Sequence, residues 1–122
     1  MTRSRLVLLA LVVTAALVGA SPTAAHRSRA VTIDVTAGKP SEFKFMLSPR
    51  KTVENGTTVT FVVTNLGTLA HTFKIAGKRT PLLKVGRTAT LVVAFSKAGR
   101  YPYRCTISGH AAAGMKGVLV VK

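Results

Sequence analysis

A cysteine, a histidine and a methionine stand at intervals of five in the stretch Cys105–Thr106–Ile107–Ser108–Gly109–His110–Ala111–Ala112–Ala113–Gly114–Met115, and Cys105 is the only cysteine in the chain. Thiolate and thioether are soft donors that favour Cu(I), while imidazole suits both copper oxidation states. A trigonal plane of two histidines and one cysteine, with a weak axial methionine, describes a blue-copper electron-transfer site. The stretch lacks one planar ligand, a second histidine, and His71 is the best candidate. Each residue alone has a plainer reading. A lone cysteine is usually a small buried hydrophobe and a methionine core filler, and a lone histidine is more often a satisfied structural group. The constellation reverses that balance. With average residue usage, His at +5 and Met at +10 from a given cysteine arise by accident on the order of once in a few thousand trials.

These side chains need elements to hold them. Arg100–Cys105 reads as a strand leading into the loop, Gly109 and Gly114 let the loop bend back, and Gly117–Lys122 leaves it as another strand. Upstream, Leu69, His71, Phe73 and Ile75 alternate along one face, which places His71 among inward-facing apolar residues. A buried unpaired imidazole is costly, so His71 needs a partner, either a metal or a backbone carbonyl. The incomplete ligand set favours the metal. Met46 is the rival axial ligand, but its apolar neighbours at strand spacing favour core packing. His26 reads as an unimportant terminal residue.

The rest of the chain is punctuated in the same way. Val31–Val35 alternates apolar and polar side chains, and Gly38–Lys39–Pro40 breaks it. Glu42–Leu47 reads as a second strand with Phe43 and Phe45 on one face. Ser48–Pro49 and Glu54–Asn55–Gly56 are turn signals. Thr57–Thr64 is rich in β-branched residues, and Asn65–Leu66–Gly67 turns the chain. Residues 76–86 form a basic connection, and Arg87–Phe95 is a further strand ending at the Ala98–Gly99 turn. No segment shows a sustained helical period. About seven short strands between turn signals predict an all-β protein, a Greek-key β-sandwich.

With the loop and its strands in view, the chain resembles the cupredoxins, the small blue-copper family. The resemblance covers residues from about 30 to 122. It is most specific over residues 101–117 and weaker around Asn65–Phe73. The four-residue gaps on both sides of His110 are the longer form of the family's loop. The resemblance implies one type 1 copper held by His71, Cys105, His110 and Met115, and a one-electron carrier, not an enzyme. It also implies that His110 lies near the surface in an apolar patch, with Ala111–Ala113 beside it. Two residues depart from the common pattern. Many relatives carry Asn or Ser just after the first histidine, where this chain has Thr72. Many have a proline between Cys and His, where this chain has Thr106–Gly109, so the loop is expected to offer an extra amide donor near the sulfur. The alternatives are copper delivery or storage with the same donors, and a metal-free sandwich for adhesion or polyanion binding. A copper enzyme needs further histidines or a second cysteine, which the chain does not supply.

Arg3 and Arg5, the apolar run Leu6–Ala20 and then Ser21–Pro22–Thr23–Ala24–Ala25 follow the order of a secretory signal peptide. The run is shorter than the roughly 20 residues of a membrane-spanning helix. Residues 1–25 are therefore expected to be a signal peptide cleaved after Ala25, the alternative being an uncleaved N-terminal anchor, and residues 26–122 an exported domain, periplasmic, cell-envelope or secreted. The net charge is +15, with 18 Lys and Arg against three acids. Such a field attracts an acidic redox partner, expected to dock near His110 and Ala111–Ala113, or an anionic membrane face in peripheral contact. The bases are scattered without aromatic interleaving, so specific nucleic-acid recognition is not expected. The chain is expected to be a monomer.

Overall fold

A computed structural model describes residues 13–23 and 28–122. Most of the expected signal peptide, its cleavage point after Ala25 and His26 lie outside the described residues. Residues 13–23 take no regular structure and are exposed. Among the described residues, no helix is long and apolar enough to cross a membrane.

Nine strands follow in order: β1 Arg29–Ala37, β2 Phe45–Ser48, β3 Thr52–Val53, β4 Thr57–Asn65, β5 Lys74–Ile75, β6 Lys78–Arg79, β7 Thr88–Phe95, β8 Gly99–Arg104 and β9 Lys116–Val121. They form two sheets, β2-β1-β4-β7 and β3-β9-β8-β5-β6. Both sheets are mixed: β1 runs parallel to β4 and β3 parallel to β9, and the other pairs are antiparallel. Each of the seven predicted segments overlaps one observed strand. The two additional strands, β3 and β6, are two residues long; β5 is as short, but it ends the longer apolar alternation from Leu69 to Ile75 that the sequence shows.

Alternation explains why the sheets pack face to face. In β4, every second residue from Thr57 to Asn65 is buried, as a strand with one face on a core requires. Ile33 and Val35 of β1 and Val59, Phe61 and Val63 of β4 meet Tyr103, Leu119 and Val121 of the other sheet in one apolar cluster. Phe73 sits between the sheets, with ring centroids 5.3 Å from Phe45, 5.3 Å from Phe61 and 5.4 Å from Tyr103. Its amide donates to Thr80 Oγ1 at 3.0 Å. Phe73 is thus fixed by both core and backbone, two residues after His71.

Three local expectations are corrected. β2 begins only at Phe45, because residues 41–44 turn: the Lys44 amide donates to Ser41 O. Met46 then faces outward on an edge strand and is 49 % exposed, so it is neither core filler nor an axial ligand. Leu69 is 45 % exposed, because the chain leaves the strand conformation between Asn65 and His71. His71, Phe73 and Ile75 are buried as expected, but so is Thr72 between the first two.

Candidate metal centre

Three loops meet at one end of the sandwich: those that follow β1 and β4, and the loop from Cys105 to Met115 that joins β8 to β9. Strand register brings the first two donors together. β5 pairs with β8 through Lys74↔Arg104, so continuing one strand backward and the other forward sets the residues before Lys74 beside Cys105. The Thr72 amide accordingly donates to Cys105 Sγ at 3.4 Å. His71 is locked by a two-way backbone bridge to Leu83: His71 N to Leu83 O is 3.0 Å and Leu83 N to His71 O is 2.8 Å.

The 105–115 loop folds on itself. His110 N donates to Ile107 O, Met115 N to His110 O at 3.0 Å, and Cys105 N to Met115 O at 3.1 Å. Gly109 and Gly114 supply the positive φ angles, 82° and 118°, that the two reversals need. The loop thereby places Met115 against the backbone of Cys105, and Met115 is fully buried.

His71, Cys105 and His110 offer ligand atoms that all lie within 4.8 Å of one another. His71 Nδ1 is 3.2 Å from His110 Nδ1, and Cys105 Sγ is 3.6 Å from His110 Nδ1. For a first-row ion, with bonds of about 2.0–2.1 Å to nitrogen and about 2.3 Å to thiolate, donors at the corners of a trigonal plane lie roughly 3.5–3.8 Å apart. These two separations need to open by only a few tenths of an ångström and the third lies within 4.8 Å, so the residues can close around such an ion. His71 and Cys105 are buried, and His110 is half-buried. Burial lowers the His110 imidazole pKa below its ordinary value, and His71 pushes the same way against an opposing pull from Glu42. A neutral ring is the form that binds metal.

Thr72 ties the two ligand loops together. Its hydroxyl accepts the Thr106 amide at 2.8 Å, pairs with the Thr106 hydroxyl at 2.7 Å and lies 3.7 Å from Cys105 Sγ. The residue that stands where many cupredoxins have Asn or Ser therefore makes an inter-loop link. The expected extra donor from the proline-free loop is corrected: the Thr106 amide goes to Thr72, and the hydrogen bonds to the sulfur come from Thr72.

Two residues of the site were not foreseen from the sequence. Asn65 is fully buried; its Nδ2 donates to Leu69 O and Leu83 O, both at 2.8 Å, and its Oδ1 accepts Gly67 N at 2.9 Å. It holds both loops that flank His71. Glu42, in the turn before β2, reaches His71 Nε2 with Oε1 at 2.7 Å. The same carboxylate accepts the Thr68 amide and hydroxyl and the Leu69 amide at 2.9–3.0 Å. The Thr68 amide is the largest influence holding its carboxyl well below the usual range, at about 2, against the upward push of burial, with further help from the Leu69 amide, the Thr68 hydroxyl and His71.

The sequence matches the family described as "Cupredoxin-like domain" over residues 7–121. The chain belongs to that family. Comparison with curated proteins finds no match. Among solved structures, it is similar to auracyanin A, a "blue" copper protein from the green thermophilic photosynthetic bacterium Chloroflexus aurantiacus, at 25 % identity and a TM-score of 0.63, over 76 % of this chain and 99 % of that one. Rusticyanin from Thiobacillus ferrooxidans is similar at 25 % identity and a TM-score of 0.62, over 77 % of this chain and 78 % of that one. Auracyanin B, at 20 % identity and a TM-score of 0.62 over 75 % and 88 %, shares the fold. His71, Cys105 and His110 with Met115 form the pattern of a type 1 copper site, one copper per chain. Fold, family and donor pattern together are those of a copper electron carrier in general.

Proposed function

We propose that the protein is an exported one-electron carrier, with residues 1–25 a cleaved signal peptide and residues 26–122 the copper domain. His71, Cys105, His110 and Met115 would hold the copper. The observation that carries this reading is the convergence of three donor atoms, from positions 71, 105 and 110, within 4.8 Å. A metal-free adhesion sandwich has no use for that convergence. Copper, when bound, supplies a Cu(II)/Cu(I) couple. The protein's own part is rigidity: a backbone bridge holds His71, Thr72 fastens the sulfur loop, and burial of two donors keeps water away. Donors held so firmly serve both oxidation states with little rearrangement, which suits electron transfer better than delivery.

Electrons need an outlet, and His110 is the one half-buried member of the planar set. Beside it in sequence, Ala112 and Ala113 are exposed and Ala111 partly so. Leu66 and Leu69, 52 % and 45 % exposed, lie on the loop leading to His71. Small and apolar side chains let a partner approach closely, and the positive charge of the chain favours an acidic one. The test is repeated redox cycling of the copper-loaded full chain in the presence of a Cu(I) chelator. A carrier retains its copper and its reversible one-electron response. Transfer of the metal to the chelator within a few cycles would instead identify a delivery protein.

A further inference from the structure

Of the three acids in the chain, Asp34 and Glu54 are exposed on the sandwich, and Glu42 alone lies against the donor cluster. We infer that Glu42 is a positioning residue for the metal centre: it fixes the His71 ring with Nε2 protonated and Nδ1 bare, and it sets a carboxylate behind that ligand. The second half rests on the copper reading; the first does not.

Both Glu42 oxygens face donors, Oε2 the Thr68 amide and hydroxyl and Oε1 the Leu69 amide, so the group acts as an acceptor. At 2.7 Å from Glu42 Oε1, His71 Nε2 must therefore be the donor. The other nitrogen, Nδ1, then keeps its lone pair, and it is the atom that faces His110 Nδ1. In metal sites the hydrogen bond on one ring nitrogen sets which nitrogen binds and raises its basicity. The carboxylate is not free to swing away. Oε2 takes the Thr68 amide and hydroxyl, and Oε1 takes the Leu69 amide as well as His71. Gly67 leaves the room for this arrangement. A Cβ at that position would lie 2.5 Å from Glu42 Oε1 and 3.0 Å from His71 Nε2. Its φ is not in the left-handed region, so glycine is needed there for space and not for backbone freedom.

The charge has a direction of effect. With one thiolate and neutral imidazoles, a Cu(II) site carries one net positive charge, and Glu42 brings the total to zero. The Cu(I) site becomes net negative. An anion in this place favours the oxidised state and lowers the reduction potential, locally opposing a chain of net charge +15.

Glu42→Gln and Gly67→Ala in the full chain test the inference, with two readouts. The first is imidazole nitrogen NMR on the metal-free protein, where His71 is expected to carry its proton on Nε2. In Gly67→Ala the ring should lose that single tautomer. The second is the potential of the copper-loaded protein. Loss of a metal-site hydrogen-bond partner typically costs 10–100-fold in affinity. If Cu(II) affinity falls tenfold relative to Cu(I) in Glu42→Gln, the potential rises by about 59 mV. Gly67→Ala keeps the carboxylate but separates it from the ring, so it should raise the potential by less. A wild-type His71 protonated on Nδ1, or an unchanged or lower potential in Glu42→Gln with its thiolate–copper absorption intact, would overturn the inference. If Glu42→Gln does not fold, an unchanged tautomer and potential in Gly67→Ala would overturn it equally. A wild-type chain that keeps the Nε2–H tautomer but takes no copper removes the electron-carrier reading and the charge effect, and supports the ring-fixing role.

Discussion

Replacing Thr72 by valine keeps the shape of the side chain and removes one oxygen, and the structure says what that oxygen does. It accepts the Thr106 amide at 2.8 Å, pairs with the Thr106 hydroxyl at 2.7 Å and lies 3.7 Å from the cysteine sulfur. In the variant the partly buried Thr106 amide has no partner, at a cost of about 1–3 kcal/mol. For a domain of this size 1 kcal/mol corresponds to roughly 4–8 °C in Tm, so the metal-free variant should melt about 4–24 °C lower. The effect on copper is smaller. The Thr72 amide still reaches the sulfur at 3.4 Å, and the lost hydroxyl contact is long. Removing a weak donor from the thiolate leaves more charge on the sulfur and favours Cu(II). If that preference is worth about 0.5 kcal/mol, the potential falls by roughly 20 mV. Calorimetry of the metal-free chain and voltammetry of the loaded one measure the two effects separately. A Tm within a degree of wild type, or a potential that rises, would refute the assignment of Thr72 as the link between the ligand loops.

Asn65→Ala strips three hydrogen bonds, two buried and one part-buried, from backbone groups of the loops on either side of His71. It should cost about 3–5 kcal/mol in urea unfolding, and a loss under 1 kcal/mol would count against its role. Gly117→Ala puts a methyl group into the Tyr103 ring across the β8–β9 pair; overpacking there should destabilise by about 1–3 kcal/mol, and Tyr103→Leu should relieve much of it. Copper at about 1,000 times its Kd should stabilise the chain by roughly 4 kcal/mol. The Tm gain should vanish on chelation and in Cys105→Ser, and an equal gain in Cys105→Ser would mean that the metal binds elsewhere.

Legibility in the sequence followed the range of the interactions. The seven main strands showed because a buried face repeats every second residue, and β4 keeps that period from Thr57 to Asn65. Cys105, His110 and Met115 showed because a single loop carries them. His71 was reached by elimination, as the remaining histidine within an apolar alternation. Glu42 left no such trace. Its partners, Thr68, Leu69 and His71, are 26 to 29 residues away, and its own segment read as strand when it is a turn. The same contact explains the misplacement of Leu69: its amide goes to Glu42 and not to a strand neighbour, so the side chain leaves the inward face. Thr72 raised the right question in the sequence, but only the β5–β8 register shows that its hydroxyl meets Thr106.

The central claim, that Cys105 joins His71 and His110 around one copper ion, is tested most directly by absorption and electron paramagnetic resonance of the Cu(II)-loaded full chain beside Cys105→Ser. The account predicts intense visible thiolate-to-copper absorption and a narrow copper hyperfine splitting at one metal per chain, both lost in Cys105→Ser. A colourless Cu(II) protein with ordinary hyperfine splitting, or spectra unchanged by the cysteine substitution, would contradict it.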